Sequence, residues 1–195
     1  MPFVKRKKPK LPASYEPHEC IVLAVDTAET SGWAVYAAGE LVNWGEVDMM
    51  RPERSRDRWG VSGWDANRVC MHALVETGHD TGWPVVMVFE RPFRGTTQGQ
   101  WIGAWKLAFL HNGGHKNRII GVYPASWRAR VLRAANAPRE QARKSEMDRA
   151  RQESSSTHWI GPDAAAAICI GLWAVRSGDV AAKLPKKRTR KAEVA

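Results

Sequence analysis

Two short apolar runs, each closed by an acid, constrain this chain more than any other feature. Residues 20–26 read CIVLAVD and residues 84–90 read PVVMVFE. A nearly continuous apolar run of this length is a strand buried on both faces, and such strands lie inside a sheet covered by helices. Asp26 and Glu90 then stand at the ends of two interior strands. A carboxylate in such a place is seldom left without a partner or a metal.

The segments around these strands complete a pattern. GWAVYAA (32–38) and ELVNWGEV (40–47), separated by Gly39, read as two more strands and make a three-strand meander with the first. Apolar residues recur at helical spacing from Trp59 to Glu76 (Val61, Trp64, Val69, Leu74), and Gly78 supplies a stop. A helix over Gln98–Leu110 is closed by Asn112, Gly113 and Gly114. RIIGVY (118–123) is a further buried strand, and Pro124 opens a helix at its first turn. Residues 138–153 are charged all round and nearly devoid of large apolar residues, which predicts a solvated helix or mobile arm. Gly161-Pro162 leads into a last helix from Asp163 to about Ser177. The order βββαβαβα specifies an α/β layered domain with a mixed sheet. No repeat is visible, and the 10 Trp are spread over helices and strands as packing residues.

At 195 residues the chain suits one buried core with tails. Its net charge of +10 is carried by its ends. Residues 1–10 hold Lys5, Arg6, Lys7, Lys8 and Lys10, and residues 183–195 hold six basic residues against Glu193, which leaves 11–182 neutral. The expected division is a basic disordered arm over 1–18, a folded domain over 19–178 and a basic disordered tail over 179–195. Such arms suit a polyanion, because each neutralised phosphate releases counterions; solubilising tails would look the same. Cys20, Cys70 and Cys169 share no metal-binding spacing and read as buried hydrophobes in a reducing compartment, with no structural zinc. The longest uncharged apolar run, Ala164 to Val175, is too short to cross a bilayer. A soluble, cytoplasmic, nucleoid-associated protein is expected.

Strand ends on one edge of an α/β sheet converge on a crevice, so Asp26 and Glu90 meet there if their strands are neighbours. Asp163, on the first turn of a packed helix, can reach the same point. Three hard oxygen ligands select Mg²⁺ or Mn²⁺. Two such ions, about 4 Å apart and bridged by Asp26, support hydrolysis of a phosphodiester. Each acid alone also has a local explanation as a strand-end or helix cap.

The segments taken in order resemble a known family. VLAVDTAETSGWAVY resembles the first motif of the RuvC-like Holliday junction resolvases, within the RNase H-like superfamily: an apolar strand, an Asp, a polar turn, then Gly-aromatic and a second strand. VVMVFERPF is similar to the second motif, and DAAAAICIGLWAV to the last. The match runs from Ile21 to Val175 and looks closest to phage-borne versions. The resemblance implies an RNase H-like mixed five-stranded sheet flanked by helices. It also implies a homodimer that nicks four-way DNA junctions symmetrically, with Asp26, Glu90 and Asp163 as catalytic metal ligands. Phe93 matches an aromatic that stacks on bases at the opened crossover.

One departure from the family is plain. A second acid, or a His-x-x-Asp pair, is usual on the last helix, yet the corresponding positions here are Ala166 or Ile160. His158 or a water is left to complete the ligand shell. Arg91, Arg94, Lys106, Arg128, Arg130, Arg133, Arg143 and Lys144 are candidates to line a DNA path, by phosphate contacts that carry affinity without sequence reading. His111 and His115 read as loop residues, and Thr96, Thr97 and Gln98 as a helix cap. The main expectation is therefore a metal-dependent endonuclease of branched DNA. Against it stand a junction-binding protein with a decayed site, motivated by Ala166, and an ATP-binding domain of the actin or sugar-kinase type.

Overall fold

The computed structural model describes residues 20–49, 61–77, 83–91, 97–133, 135–177 and Val180. Its strands are β1 (Ile21–Asp26), β2 (Thr30–Ala37), β3 (Glu40–Asp48), β4 (Val85–Glu90) and β5 (Ile119–Val122). Its helices are α1 (Val61–Met71), continued by a π-helical turn over His72–Thr77, α2 (Thr97–His111), α3 (Pro124–Val131), α4 (Arg139–Ser154) and α5 (Pro162–Arg176). The strands form one sheet in the order β3-β2-β1-β4-β5. β1, β2 and β3 run antiparallel as a meander, while β4 and β5 lie parallel to β1 on its other side. This is the mixed five-stranded sheet that the sequence implied.

The β2–β3 hairpin turns on Ala38 and Gly39, both at positive φ (54° and 84°), a loop whose twist matches that of the flanking strands. Alternation along β1 and β4 divides the core in two. Val22, Ala24, Val86 and Val88 face α3, α4 and α5, and Ile21, Leu23, Val25, Met87 and Phe89 face α1 and α2. By the same period of two, Asp26 and Glu90 fall on the α5 side, at the same end of adjacent parallel strands.

Two glycines let α5 sit on that face. A Cβ at Gly32 would overlap the backbone of Asp163, and one at Gly171 would overlap the ring of Tyr36. The Tyr36 hydroxyl donates to the Ile168 carbonyl at 2.9 Å, tying the strand to the middle of the helix. The alanines at 164–167 allow the close approach, and all are buried.

The stretch expected to be solvated all round is a packed helix. α4 buries Ala142, Glu146 and Ala150, one turn apart, with Met147 half-buried beside them, and rests against α5. Alanine against an alanine-rich partner gives close packing without the large side chains by which a buried face is usually recognised. The arm over 1–18 lies outside the described residues, as does the tail over 179–195 apart from Val180, which is buried in the α5-side core. All three cysteines are buried. Among the described residues no helix is long and apolar enough to cross a membrane.

Candidate metal centre

A row of residues crosses the end of the sheet beneath α5. Glu46 pairs with Gly32, Gly32 with Asp26, and Asp26 lies next to Glu90, one step beyond the Val25–Phe89 pair. Because Gly32 has no side chain, the first turn of α5 descends onto the row there, with the Asp163 backbone against Gly32, the residue paired with Asp26. The turn after β1 is pinned from within: Ser31 Oγ donates to the Ala28 carbonyl at 2.9 Å, and Thr27 Oγ1 donates to the Glu90 carbonyl at 3.4 Å.

Asp163 does not cap its own helix. The N-cap is Gly161, which has no side chain to offer, and Glu46 does the work from β3. Its Oε1 accepts from the Asp163 and Ala164 amides, each at 3.1 Å. The negative charge suits the positive end of the helix, and it leaves the Asp163 carboxylate unused by the backbone.

The sequence reading missed one carboxylate, Glu146. It projects from the buried stripe of α4 and is only 4% exposed. Arg128 Nε donates to Glu146 Oε1 at 2.8 Å. The preceding residue, the fully buried Trp127, donates through Nε1 to Glu90 Oε2 at 2.8 Å. The signal available in the sequence was the four-residue spacing of Ala142, Glu146 and Ala150 in an otherwise charged helix.

The electrostatics tie the four acids together. Burial pushes the carboxyl of Asp26 well above the usual range, and the charges of Glu90, Asp163 and Glu146 push it further. Glu90 is raised by burial and by Glu146, against the Trp127 hydrogen bond and Arg128. Glu146 is raised by burial, against the nearby Arg128 and Arg143. Asp163 is raised by burial and then by Glu46, with Arg143 and Arg139 opposing. Half-buried Asp26, Glu90 and Asp163 and buried Glu146, carboxylates that repel one another, have the chemistry of hard oxygen donors, and a divalent cation's charge would offset both causes. Among the described residues no group of three or more Asp, Glu, His or Cys side chains is placed so as to hold a metal ion. The acids suit such an ion by their donor chemistry alone.

Comparison with solved structures bears on this arrangement. A Thermus thermophilus RuvC structure superposes on 78% of this chain and 92% of its own, with a TM-score of 0.50 and 15% identity. T. thermophilus RuvC in complex with a Holliday junction substrate superposes over 79% and 91%, with a TM-score of 0.53 and 14% identity. The fold is RuvC-like. No family model and no curated protein matches the sequence.

Within this RuvC-like frame the remaining expected residues disperse. Arg91, exposed at the end of β4, stacks over the Tyr123 ring at 5.2 Å, and Lys106 lies 4.7 Å over the Phe89 ring. Arg143 and Lys144 are exposed on α4, and Arg130 and Arg133 are exposed at and just beyond the end of α3. Arg128, expected along the DNA path, is turned inward to Glu146 and over the Trp127 ring. His158 is exposed between α4 and α5, its amide donating to Ser156 Oγ. His111 and His115 are likewise exposed. Phe93, Arg94 and Thr96 lie outside the described residues.

Proposed function

We propose that the protein is a structure-selective DNA endonuclease that resolves four-way and related branched junctions by metal-dependent phosphodiester hydrolysis. The observation that supports the reading is that Asp26 and Glu90 close neighbouring parallel strands at one end of a RuvC-like sheet, with the start of the helix that carries Asp163 packed on Gly32 beside them. One RuvC with this fold was solved with a Holliday junction substrate, which supports branched DNA as the partner.

Asp26, Glu90 and Asp163 would hold Mg²⁺ or Mn²⁺. Bound there, a divalent ion supplies Lewis acidity toward the scissile phosphate and lowers the pKa of an attacking water. The chain's own residues do the positioning. Trp127 fixes the rotamer of Glu90, Glu46 holds the start of α5 and with it Asp163, and the pinned turn at Thr27–Ser31 anchors the end of β1. Arg91, Arg94, Lys106, Arg143 and Lys144 supply phosphate contacts along the DNA, and the basic ends add affinity without sequence reading. Phe93, three residues beyond Glu90, stacks on a base at the crossover. The protein works as a homodimer, one site per cut strand. The exposed Leu107 and Leu110 on the outside of α2 offer apolar surface for that contact. A phage origin and a nucleoid-associated, cytoplasmic setting complete the proposal.

The test is nicking of a synthetic four-way junction against a linear duplex of the same sequence. Wild-type protein with Mg²⁺ or Mn²⁺ is expected to cut the junction, and Asp26→Asn to lose at least about a hundredfold in rate. Junction binding without cutting in either protein would instead favour the junction-binding scaffold to which Ala166 points.

A further inference from the structure

The face of the sheet opposite the acids carries a row of its own. Phe89 on β4 faces α1 and α2 and pairs with Gly121 on β5. By the period of two, Arg91 and Tyr123 continue the same side one step beyond. The Arg91 amide donates to the Val122 carbonyl at 2.7 Å, which keeps the chains together there. Gly121 leaves room for the Arg91 side chain to lie across it: a Cβ at that position would stand 2.6 Å from Arg91 Nε and 3.0 Å from Phe89 Cζ. The guanidinium sits 5.2 Å over the Tyr123 ring, and Nη1 donates to the Tyr123 hydroxyl at 3.4 Å. From the other end, Lys106 of α2 reaches over the Phe89 ring, 4.7 Å from its centre. Lys106, Phe89, Arg91 and Tyr123 thus form a continuous series of cation, ring, cation, ring. Arg91 is exposed and Tyr123 is 53% exposed. Among the described residues neither cation takes part in a salt bridge. Stacking on a ring restrains a cation without neutralising it, so two like charges are gathered here with no acid to offset them.

We propose that this row is a preset binding site for the phosphates of a nucleic-acid backbone, with Arg91 and Lys106 making the contacts and Tyr123 acting as a positioning residue for Arg91. The inference rests on the reading of branched DNA as the partner and deepens it, because it joins two of the basic residues in one site and assigns a role to an aromatic that no DNA contact had claimed. A guanidinium laid flat on a ring still offers its edge N–H groups for a two-point contact with a phosphate. Holding it there in advance reduces the side-chain freedom lost on binding. Asp26 and Glu90 face α5 on the other side of the sheet, so the phosphates held by the row are not the one cut at the acids.

The experiment is fluorescence anisotropy of a labelled four-way junction, and of a linear duplex of the same sequence, titrated with the full chain in chelator over a series of salt concentrations. Arg91→Gln and Lys106→Gln should each weaken binding to both DNAs and reduce the slope of log affinity against log salt by about 1. Tyr123→Leu keeps both charges but frees Arg91, and should weaken binding by about two- to fivefold. Tyr123→Phe keeps the ring and should bind like wild type. In an Arg91→Gln background, Tyr123→Leu should have no further effect. An equal loss from Tyr123→Leu in that background would mean that the ring touches DNA by itself and would overturn its positioning role. Wild-type affinity and salt slope in both Arg91→Gln and Lys106→Gln would overturn the phosphate site while leaving the junction reading intact. The expected losses in a protein that prefers neither DNA would sustain the row and count against junction selectivity. A wild-type protein that binds neither DNA would remove both readings. The replaced side chains are exposed or half-exposed, and an unchanged melting temperature in each variant confirms that the losses do not come from unfolding.

Discussion

At the scale of single residues, the site is built against stability. Asp26, Glu90, Glu146 and Asp163 all have raised carboxyl pKa values, with burial the largest cause in each. The native state then keeps protons that the unfolded chain has already released. In the absence of divalent ions, stability from these groups is fully present below the ordinary carboxylate range and is lost as pH rises through the raised values. A thermal melt in chelator should give a higher melting temperature at pH 5.5 than at pH 7.5. Asp26→Asn should raise the pH 7.5 value, by about 2–4 °C for each kcal/mol recovered. A melting temperature lowered by Asp26→Asn would contradict the picture of an unneutralised acid group. Trp127→Phe tests the support of Glu90: it removes one hydrogen bond in a buried place, at a cost of about 1–2 kcal/mol in chemical denaturation. Nicking should fall by about tenfold or more through the released Glu90.

At the scale of elements, the junction between β2 and the start of α5 sets the geometry. Gly32→Ala would drive a methyl into the Asp163 backbone, so the helix must lift away from the strand that carries its acid close to Asp26. Urea denaturation should show a loss of about 1–3 kcal/mol, and Mn²⁺ affinity should fall with it. Full Mn²⁺ affinity in Gly32→Ala would show that the seating of α5 does not position Asp163. Glu46→Ala removes the cap on the same helix and should cost about 1 kcal/mol, whereas Glu46→Gln, which keeps an acceptor oxygen, should cost less.

These same elements show what the sequence made legible. β1 and β4 were readable because a strand buried on both faces leaves an unbroken apolar run, and their closing acids stood out against it. The start of α5 was readable from Gly161-Pro162 and the alanines that follow. α4 was misjudged because its buried face is two alanines and an acid, chemically indistinct from a solvated surface until α5 is packed against it. Glu146 was missed for the same reason. The capping of α5 by Glu46, 117 residues away in sequence, depends on strand register that no local pattern encodes.

At the scale of the whole molecule, charge and candidate chemistry are separated along the sequence. Asp26 and Glu90 close neighbouring strands at one end of the sheet, while residues 1–10 and 183–195 account for the net charge of +10. Deleting residues 1–10 and 183–195 should weaken junction binding at low salt and flatten its salt dependence, yet preserve preference for a junction over a duplex. Loss of that preference in a gel-shift competition would mean that these terminal residues read DNA shape. A mass measurement in solution should give twice the chain's 21.8 kDa if the proposed homodimer, with one site for each cut strand, forms. A monomer that nicks both strands in concert would contradict the paired arrangement.

The most direct measurement is an anomalous-diffraction map from crystals of the protein grown with Mn²⁺. The account predicts Mn²⁺ density enclosed by Asp26, Glu90 and Asp163, at the end of β1 and β4 beneath the first turn of α5. Density confined to other acids, or none at Mn²⁺ concentrations that support nicking, would contradict it.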